Sequence, residues 1–157
     1  MTIQCIVVGV DGSDGAARAL TWATDLAGAL GAEVVAVHAQ PPLGYPAASG
    51  FGFPLPMVSQ QEFDAWREAE NKLVAEWCSP LRATKTKHRI VIVVGEPAAV
   101  IMDTADHEKA DLIVAGRRGR GGFAELILGS VGHHLTHHSR IPVAIIPGEL
   151  KQHDSPV

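Results

Sequence analysis

Closely spaced glycines and arginines follow a short apolar run in the last third of the chain. Residues 116–130 read GRRGRGGFAELILGS, directly after the apolar residues 112–115. Glycine lets backbone N–H groups approach a ligand because no Cβ stands in the way. A helix beginning near Gly129 would add unpaired N–H donors and the positive end of its dipole. With Arg117, Arg118 and Arg120 alongside, the segment predicts a binding site for an anion, and phosphate is the usual one.

A carboxylate stands at the end of another apolar run. Residues 3–10 are nearly all apolar and are followed by Asp11-Gly12-Ser13-Asp14. A carboxylate in this position can accept hydrogen bonds from ribose hydroxyls, as the acidic residue of dinucleotide sites does. Asp11 could instead be only a helix cap, and Ser130 could likewise be only an N-cap. Both readings are open from the residues alone.

Five apolar segments alternate with helical patterns and predict the strands that must position these turns. The segments are 3–10, 34–38, 89–94, 111–115 and 141–146. Strands alternating with helices indicate an α/β fold, here an open, doubly wound, parallel five-stranded sheet with helices on both faces. A ligand of such a sheet binds at the carboxyl ends of two neighbouring strands. The order 3-2-1-4-5 places the Asp11 and Gly116 turns side by side, and Pro142 predicts an edge position for strand five.

The helices are predicted from caps and from apolar spacing. Ser13 or Asp14 is expected to cap the first helix, and Ser59 with Glu62 matches a capping box for the second. A helix with Pro97 in its first turn follows strand three. The residues expected to face the core are Ala17, Leu20, Ala23, Ala27 and Leu30 in the first helix, Phe63, Trp66, Leu73 and Trp77 in the second, and Ala98, Ile101 and Ala105 in the third. Arg67, Glu68, Glu70 and Lys72 are expected elsewhere on the second helix.

Two segments fall outside this alternation. Residues 39–58 contain half of the chain's 10 prolines, which predicts a long surface loop that is equally open to being a lid or an insertion without a role. Residues 149–157 predict a flexible polar tail. We therefore expect one nucleotide-binding domain over residues 1–148.

Composition narrows the class of protein. The chain has 157 residues, 46% of them hydrophobic, and a formal charge of −4, which favours a globular domain and argues against nucleic-acid binding. The N-terminus shows no basic region before its short apolar run, so no membrane segment is expected and a cytoplasmic location is predicted. Cys5 and Cys78 are expected to be reduced, buried thiols without a catalytic role.

Four histidines form two pairs at i,i+4 spacing: His133 with His137, and His134 with His138. This spacing can bind a metal ion. No third ligand is evident in the sequence, so the stronger prediction is a solvent-facing, pH-responsive surface. We expect no metal held by protein side chains.

The glycine spacing resembles a known motif. Two residues separate Gly116 from Gly119, and nine separate Gly119 from Gly129-Ser130. This G-x2-G-x9-G-[ST] pattern is that of the ATP-binding branch of the universal stress protein family, whose fold is Rossmann-like. The similarity extends from Ile3 to Pro147 and includes VVGVDGS at 7–13, His38, GEP at 95–97, DLIVAG at 111–116 and PV at 142–143.

The resemblance implies roles for individual residues. In ATP-binding members the aspartate at the Asp11 position contacts ribose, and a backbone group at the Ala39 position contacts adenine. The glycines and the hydroxyl at the motif positions hold ribose and phosphates, here Gly116, Gly119, Gly129 and Ser130. The same pocket would be lined by Gly9, Val10, Ala115 and Val131. Among the three loop arginines, Arg118 is the one predicted to contact the ligand.

These residues predict a universal stress protein that binds an adenine nucleotide and acts in stress response or signalling. ATP, with Mg²⁺ as its accompanying ion, is the expected ligand, and cyclic AMP is the alternative. The loop lacks the lysine of G-x4-G-K-[ST] and no general base is evident, so catalysis is expected to be absent or limited to slow ATP hydrolysis. A homodimer through the edge of strand five is expected from the family and permitted by the exposed edge.

Overall fold

A computed structural model of the chain describes residues 2–42, 59–119 and 128–148. Most of the predicted 39–58 loop, Arg120 and the 149–157 tail lie outside these ranges. The loop begins later than expected, because Ala39 and Gln40 belong to a strand and pair with Val93 and Val94. None of the helices in the described ranges has the length and apolar content needed to cross a bilayer.

The described elements alternate along the chain as the sequence predicts. In order, they are β1 (Cys5–Gly9), α1 (Asp14–Leu30), β2 (Glu33–Gln40), α2 (Gln60–Trp77), α3 (Ser79–Arg82), β3 (His88–Val94), α4 (Pro97–His107), β4 (Leu112–Gly116), α5 (Ser130–His138) and β5 (Val143–Ile146). All strand pairs are parallel, and the order is β3-β2-β1-β4-β5. The predicted fold class and strand order are confirmed.

The central strand β1 is buried on both faces. Ile6 and Val8 belong to one apolar cluster, formed with α1, α2 and α3, whereas Val7 belongs to a second cluster, formed with α4 and α5. Successive side chains of a strand point to opposite faces, so a continuous apolar run is what a strand between two helical layers requires. Burial of β1 fixes the position of the turn that follows it.

Helix boundaries follow the predicted caps. The Ser13 hydroxyl caps α1 by accepting a hydrogen bond from Ala16 N–H, so Ser13 and not Asp14 is the cap. Ser59 and Glu62 form the predicted capping box of α2, and Pro97 occupies the first turn of α4. β5 starts at Val143 and not at residue 141, although the Pro142 carbonyl already accepts from Ile113 N–H.

The predicted core face of two helices needs correction. In α1, Ala17 and Leu30 are exposed, and the buried set is Ala16, Ala19, Leu20, Ala23, Thr24 and Ala27. In α2, Phe63 is buried, but Trp66 and Leu73 are 41% and 42% exposed, and the other buried residues are Glu70 and Val74. The buried stripe of α2 therefore passes through a glutamate, a residue that apolar spacing cannot select.

A charged cluster lies at the amino ends of the strands. Arg89 bridges Glu33 and Glu108, and Lys87 Nζ lies 2.9 Å from Glu33 Oε2. Hydrogen bonds from Lys87 and Arg89 lower the pKa of Glu33, and the hydrogen bond from Arg89 lowers the pKa of Glu108. This cluster is at the opposite end of the sheet from the Asp11 and Gly116 turns.

Candidate functional site

The turn after β1 is built around Asp11. Its Oδ1 accepts hydrogen bonds from Ser13 N–H, at 2.9 Å, and from Ser13 Oγ–H, at 2.6 Å. Ser13 in turn caps α1, so the carboxylate is held by the helix start although Asp11 is not itself the N-cap. Gly12, between them, has φ +79°, a left-handed conformation that glycine adopts without strain.

The turn after β4 reaches the Asp11 carboxylate. A Cβ built on Gly119 would lie 2.5 Å from Asp11 Oδ2, closer than any carbon can approach without displacing the carboxylate. Gly119 is therefore adjacent to Asp11, although the two residues are far apart in sequence. Parallel pairing of β1 with β4 causes this, because it puts the carboxyl ends of both strands at one edge of the sheet.

The same turn packs closely against the first turn of α1. A Cβ on Gly116 would lie 2.5 Å from the Gly15 carbonyl carbon and 3.0 Å from Ala16 N. A Cβ on Gly15 would overlap the Arg118 carbonyl oxygen. Two backbones approach so closely here that neither position has room for a side chain. Gly116 thus has a packing role that accompanies any contact with ligand.

The chain returns to this turn at Gly129. Gly129 N–H donates to the Arg117 carbonyl oxygen at 2.8 Å, and Arg117 N–H donates to the Ile146 carbonyl oxygen at 2.8 Å. A Cβ on Gly129 would lie 3.4 Å from Arg118 Cα and 3.7 Å from Gly119 N. Gly129 is consequently against the 117–119 backbone, and the contacts run without a break from Asp11 through Gly119 to Gly129.

Helix α5 begins at this point. Gly129 is its N-cap and makes no side-chain capping bond, and Ser130 is the exposed first helical residue. The alternative that Ser130 serves only as an N-cap is therefore wrong. A helix start without a side-chain acceptor leaves N–H donors and the positive dipole end directed at whatever lies before it. The arrangement suits an anion next to Gly119 and Gly129.

The carboxyl end of β2 lies beside the Asp11 turn, on the side opposite β4. Val10 N–H donates to the Val37 carbonyl oxygen at 2.9 Å, so β1 and β2 stay together up to the Asp11 turn. Ala39 follows and is half-buried, and the buried Gln40 donates through Nε2 to Asn71 Oδ1 at 2.8 Å. Ala39 is thus placed at the carboxyl edge on the β2 side of Asp11.

A buried polar pair, His38 and Glu70, packs against the residue before Asp11. His38 Nδ1 lies 2.8 Å from the Val10 carbonyl oxygen, and His38 Nε2 lies 2.9 Å from Glu70 Oε1. A carbonyl oxygen can only accept, so Nδ1 carries a proton and donates to Val10. Glu70 Oε2 is buried without a hydrogen-bond partner among the described residues. The pair joins α2 to the residue immediately before Asp11.

Trp77 packs against both His38 and the Asp11 turn. Its ring meets the His38 imidazole edge-on, with centroids 5.4 Å apart. A Cβ on Gly12 would lie 2.5 Å from the Trp77 indole, so the indole packs directly against Gly12 in the turn. The sequence does not predict this assembly, because it indicates Trp77 on the core face of α2 but Glu70 elsewhere on the helix. The available signal was the spacing of Glu70, seven residues after Phe63 and four before Val74.

The described residues present no thiol nucleophile at this edge. Both cysteines are free. Burial raises the pKa of the Cys78 thiol to about 11, and burial with neighbouring carboxylates raises the pKa of Cys5. Both thiols thus stay protonated near neutral pH.

The structure brings most of the predicted site residues together. Gly9, Val10 and Asp11 lie at the end of β1, Ala115 and Gly116 at the end of β4, and Gly129, Ser130 and Val131 at the start of α5. Arg118 and Gly119 follow β4, and Arg118 is half-buried. These positions form one continuous edge; the ligand contacts predicted for them stay predictions.

Comparison with known proteins gives a consistent result. The family model described as "Universal stress protein family" matches residues 2–147. A universal stress protein of Methanocaldococcus jannaschii is 29% identical over 150 residues, which is 94% of this chain and 84% of that protein.

Two solved structures are similar in fold and sequence. One is a universal stress protein in complex with cAMP, with a TM-score of 0.70 and 27% identity, covering 95% of this chain and all (100%) of that chain. The other is the universal stress protein from Archaeoglobus fulgidus in complex with dAMP, with a TM-score of 0.61 and 26% identity, covering 92% of this chain and 98% of that chain. With the glycine-lined edge and the 3-2-1-4-5 sheet, these matches show that the chain belongs to the universal stress protein family.

Proposed function

We propose that this protein binds an adenine nucleotide, ATP in preference to others, at the carboxyl edge of β1 and β4. The observation that carries the proposal is the contact between Asp11 and Gly119, continued by Gly129 to the start of α5. A carboxylate that can meet a ribose is thereby placed beside a glycine-lined turn that can meet phosphates. We expect the protein to act in stress response or signalling through the bound nucleotide.

The proposed contacts follow from this arrangement. The carboxylate oxygens of Asp11 are acceptors, and ribose hydroxyls are donors that can meet them. The backbone N–H groups of Gly119 and of the first turn of α5, with the Ser130 hydroxyl, would donate to the phosphates, and Arg118 adds positive charge. Gly129 would line the site without donating to it, because its N–H donates to the Arg117 carbonyl oxygen. Adenine would lie towards β2 and contact the backbone of Ala39. The remaining lining would come from Gly9, Val10, Ala115, Gly116 and Val131.

ATP and cyclic AMP make different demands on this edge. Two of the similar proteins have known structures in complex with cAMP and dAMP, each of which has a single phosphate. Among the described residues the start of α5 has no side-chain cap, and N–H donors beside a glycine-arginine turn suit several phosphate groups, which favours a triphosphate, accompanied by Mg²⁺ held through its phosphates. Cyclic AMP is the second candidate, and it would depend less on Ser130 than ATP does.

Nucleotide-dependent stabilisation tests the proposal. At about one hundred times its dissociation constant, a ligand stabilises the folded state by about 2.7 kcal/mol, which thermal unfolding with ATP, ADP or cAMP detects. Gly119→Ala should weaken ATP binding by at least about tenfold, since a displaced Asp11 loses charge-assisted hydrogen bonds of about 1.5–3 kcal/mol.

Gly28→Ala is the matched control. Gly28 is exposed in α1, where a Cβ would meet Thr86 Oγ1 at an ordinary 3.5 Å. It should leave ATP binding unchanged. No stabilisation by any adenine nucleotide, or equal affinity in Gly119→Ala and the parent, would rule out this site.

We further propose little or no catalysis. The turn has no lysine for the phosphates. Among the described residues at this edge, the group that could activate water is the Asp11 carboxylate, and it already accepts structural hydrogen bonds from Ser13. Phosphate release from ATP should match the buffer blank. Release that Mg²⁺ increases and Gly119→Ala abolishes would instead establish a slow ATPase.

A homodimer through β5 is also proposed. β5 is an edge strand of the described sheet, and Val143, Ala144 and Ile145 are only partly buried, so backbone groups that no described strand pairs with could pair with a second copy. Native mass spectrometry of the purified protein would report the oligomeric state and the mass of any retained nucleotide together. A monomer at micromolar concentration would refute the dimer.

A further inference from the structure

The exposed side of α5 carries four histidines in two close pairs. The ring centroids of His133 and His137 are 4.2 Å apart, and those of His134 and His138 are 4.4 Å apart. All four residues are exposed, whereas Gly132 and Leu135 form the buried side of the helix. The helix thus packs through its small and apolar residues and presents both imidazole pairs to solvent.

The first pair shows the tautomer that metal ligation requires. His137 Nδ1 lies 2.9 Å from the His133 carbonyl oxygen, and this nitrogen must donate because the oxygen can only accept. The lone pair of the neutral ring is therefore on Nε2. Metal-ligating histidines almost always donate their other ring N–H to a carbonyl, carboxylate or water. His137 already makes that second bond.

Contrary to the expectation from the sequence that no metal is held by protein side chains, we propose that α5 is a binding site for divalent transition-metal ions, with His133 and His137 chelating one ion and His134 and His138 a second. Imidazole nitrogen suits Cu²⁺, Zn²⁺ and Ni²⁺, and Cu²⁺ should bind most tightly among them. Metal–nitrogen bonds of about 2.0–2.1 Å bring two adjacent ligand atoms about 3 Å apart. Tilted rings with centroids near 4 Å reach this separation by small side-chain rotations.

Each ion would have two protein ligands and complete its coordination with water. Among the described residues, no group of three or more His, Cys, Asp or Glu side chains is arranged to hold one metal ion. Two-ligand chelation implies exchangeable ions, as in a sensing or buffering site, and not a closed structural centre. It also predicts no response to Mg²⁺, which prefers oxygen ligands.

The two pairs have different surroundings. A surface hollow of about 260 Å³ between α4 and α5 is lined by His138, Asp103, Asp106 and Arg140, among others. Two carboxylates against one guanidinium favour a cation beside His138. Of the four histidines, His138 is the one that lines this hollow, and His134 is its partner in the second pair. We therefore expect the His134–His138 pair to bind the first ion.

The test is Cu²⁺ titration of the untagged full-length chain, followed by electron paramagnetic resonance of imidazole-bound copper. The parent should bind two equivalents. His137→Ala and His138→Ala should each lose one, with affinity at the altered pair reduced at least about tenfold, since even an outer-shell partner is worth 10–100-fold. Alanine keeps the helix intact because it is the strongest helix former, which circular dichroism would verify.

His107→Ala is the control, since His107 is exposed at the end of α4 and has no described histidine four residues away. It should bind two equivalents like the parent. Copper binding that persists unchanged in the His137→Ala, His138→Ala double variant would overturn the proposal, as would a parent that binds no imidazole-ligated copper. The site does not depend on nucleotide binding, so its failure would leave the proposed function untouched.

Discussion

Replacing His38 by leucine should destabilise the protein strongly, and the reason lies in Glu70. His38 and Glu70 are 4% and 7% exposed, and the 2.9 Å contact between them is the hydrogen bond found for this carboxylate in the described structure. His38→Leu removes the partner of a buried carboxylate and leaves the Val10 carbonyl oxygen without its donor. Both groups would then be buried and unpaired.

The expected size follows from these losses. Leaving a buried polar group unpaired costs about 1–3 kcal/mol, and more for a charged group, so the loss of both hydrogen bonds of His38 should cost about 3–5 kcal/mol. For a domain of 157 residues, this corresponds to a fall in melting temperature of about 6–20 °C. Glu70→Gln should cost less than about 1 kcal/mol, since a neutral amide can still donate to His38 Nε2 while Nδ1 donates to Val10.

The assay is urea and thermal unfolding followed by far-UV circular dichroism, with four variants. His38→Leu, Glu70→Gln, Glu70→Leu and the double variant His38→Leu/Glu70→Leu would be compared with the parent. The double variant leaves no carboxyl group unpaired, so it should be more stable than the sum of its parts predicts, by about 2–3 kcal/mol. The reasoning is refuted if His38→Leu unfolds within 1 kcal/mol of the parent, or if the two leucine changes are simply additive.

Three further results are expected. Gly12→Ala should cost about 2–4 kcal/mol and weaken nucleotide binding, because φ is +79° and Trp77 occupies the Cβ position; unchanged unfolding would contradict this. Below pH 4.5 the parent should lose stability, because hydrogen bonds from Lys87 and Arg89 hold the pKa of Glu33, and one from Arg89 holds the pKa of Glu108, below the ordinary 4.5. The contribution of both carboxylates disappears on protonation; Arg89→Met should remove part of this acid dependence, and an identical profile would count against it. Cys78, buried and with its pKa raised to about 11, should react with a thiol reagent at pH 8 only after unfolding; fast labelling of the native protein would be inconsistent with this burial.

The local elements were accessible from sequence because their signals are local. The β-branched run of residues 3–10 predicted a strand buried on both faces, and the Ser59–Glu62 capping box predicted the start of α2. Strand order could also be predicted, because only a neighbouring β1 and β4 lets the two special turns meet. In each case the deciding interaction is within a few residues or follows from a general rule of parallel sheets.

Errors arose where burial depends on packing between elements. Trp66 is apolar yet exposed, whereas Glu70 is charged yet buried. Spacing along α2 gives the angle between side chains, but it does not say which way the helix turns against the sheet. In the observed orientation Phe63 and Val74 are buried, and His38 supplies the partner that a buried Glu70 needs.

The sequence by itself determined the alternation of strands and helices, the caps and the glycine positions at which backbones can approach closely. Only the tertiary structure decided that Asp11 contacts Gly119 and that the backbones at Gly116 and Gly15 pack too closely to leave room for side chains. It also decided that His38 joins the Asp11 turn to α2. The physical reason is range. Propensity and capping act over a few residues, whereas these contacts join distant segments and exist only once the parallel sheet has aligned the carboxyl ends of its strands.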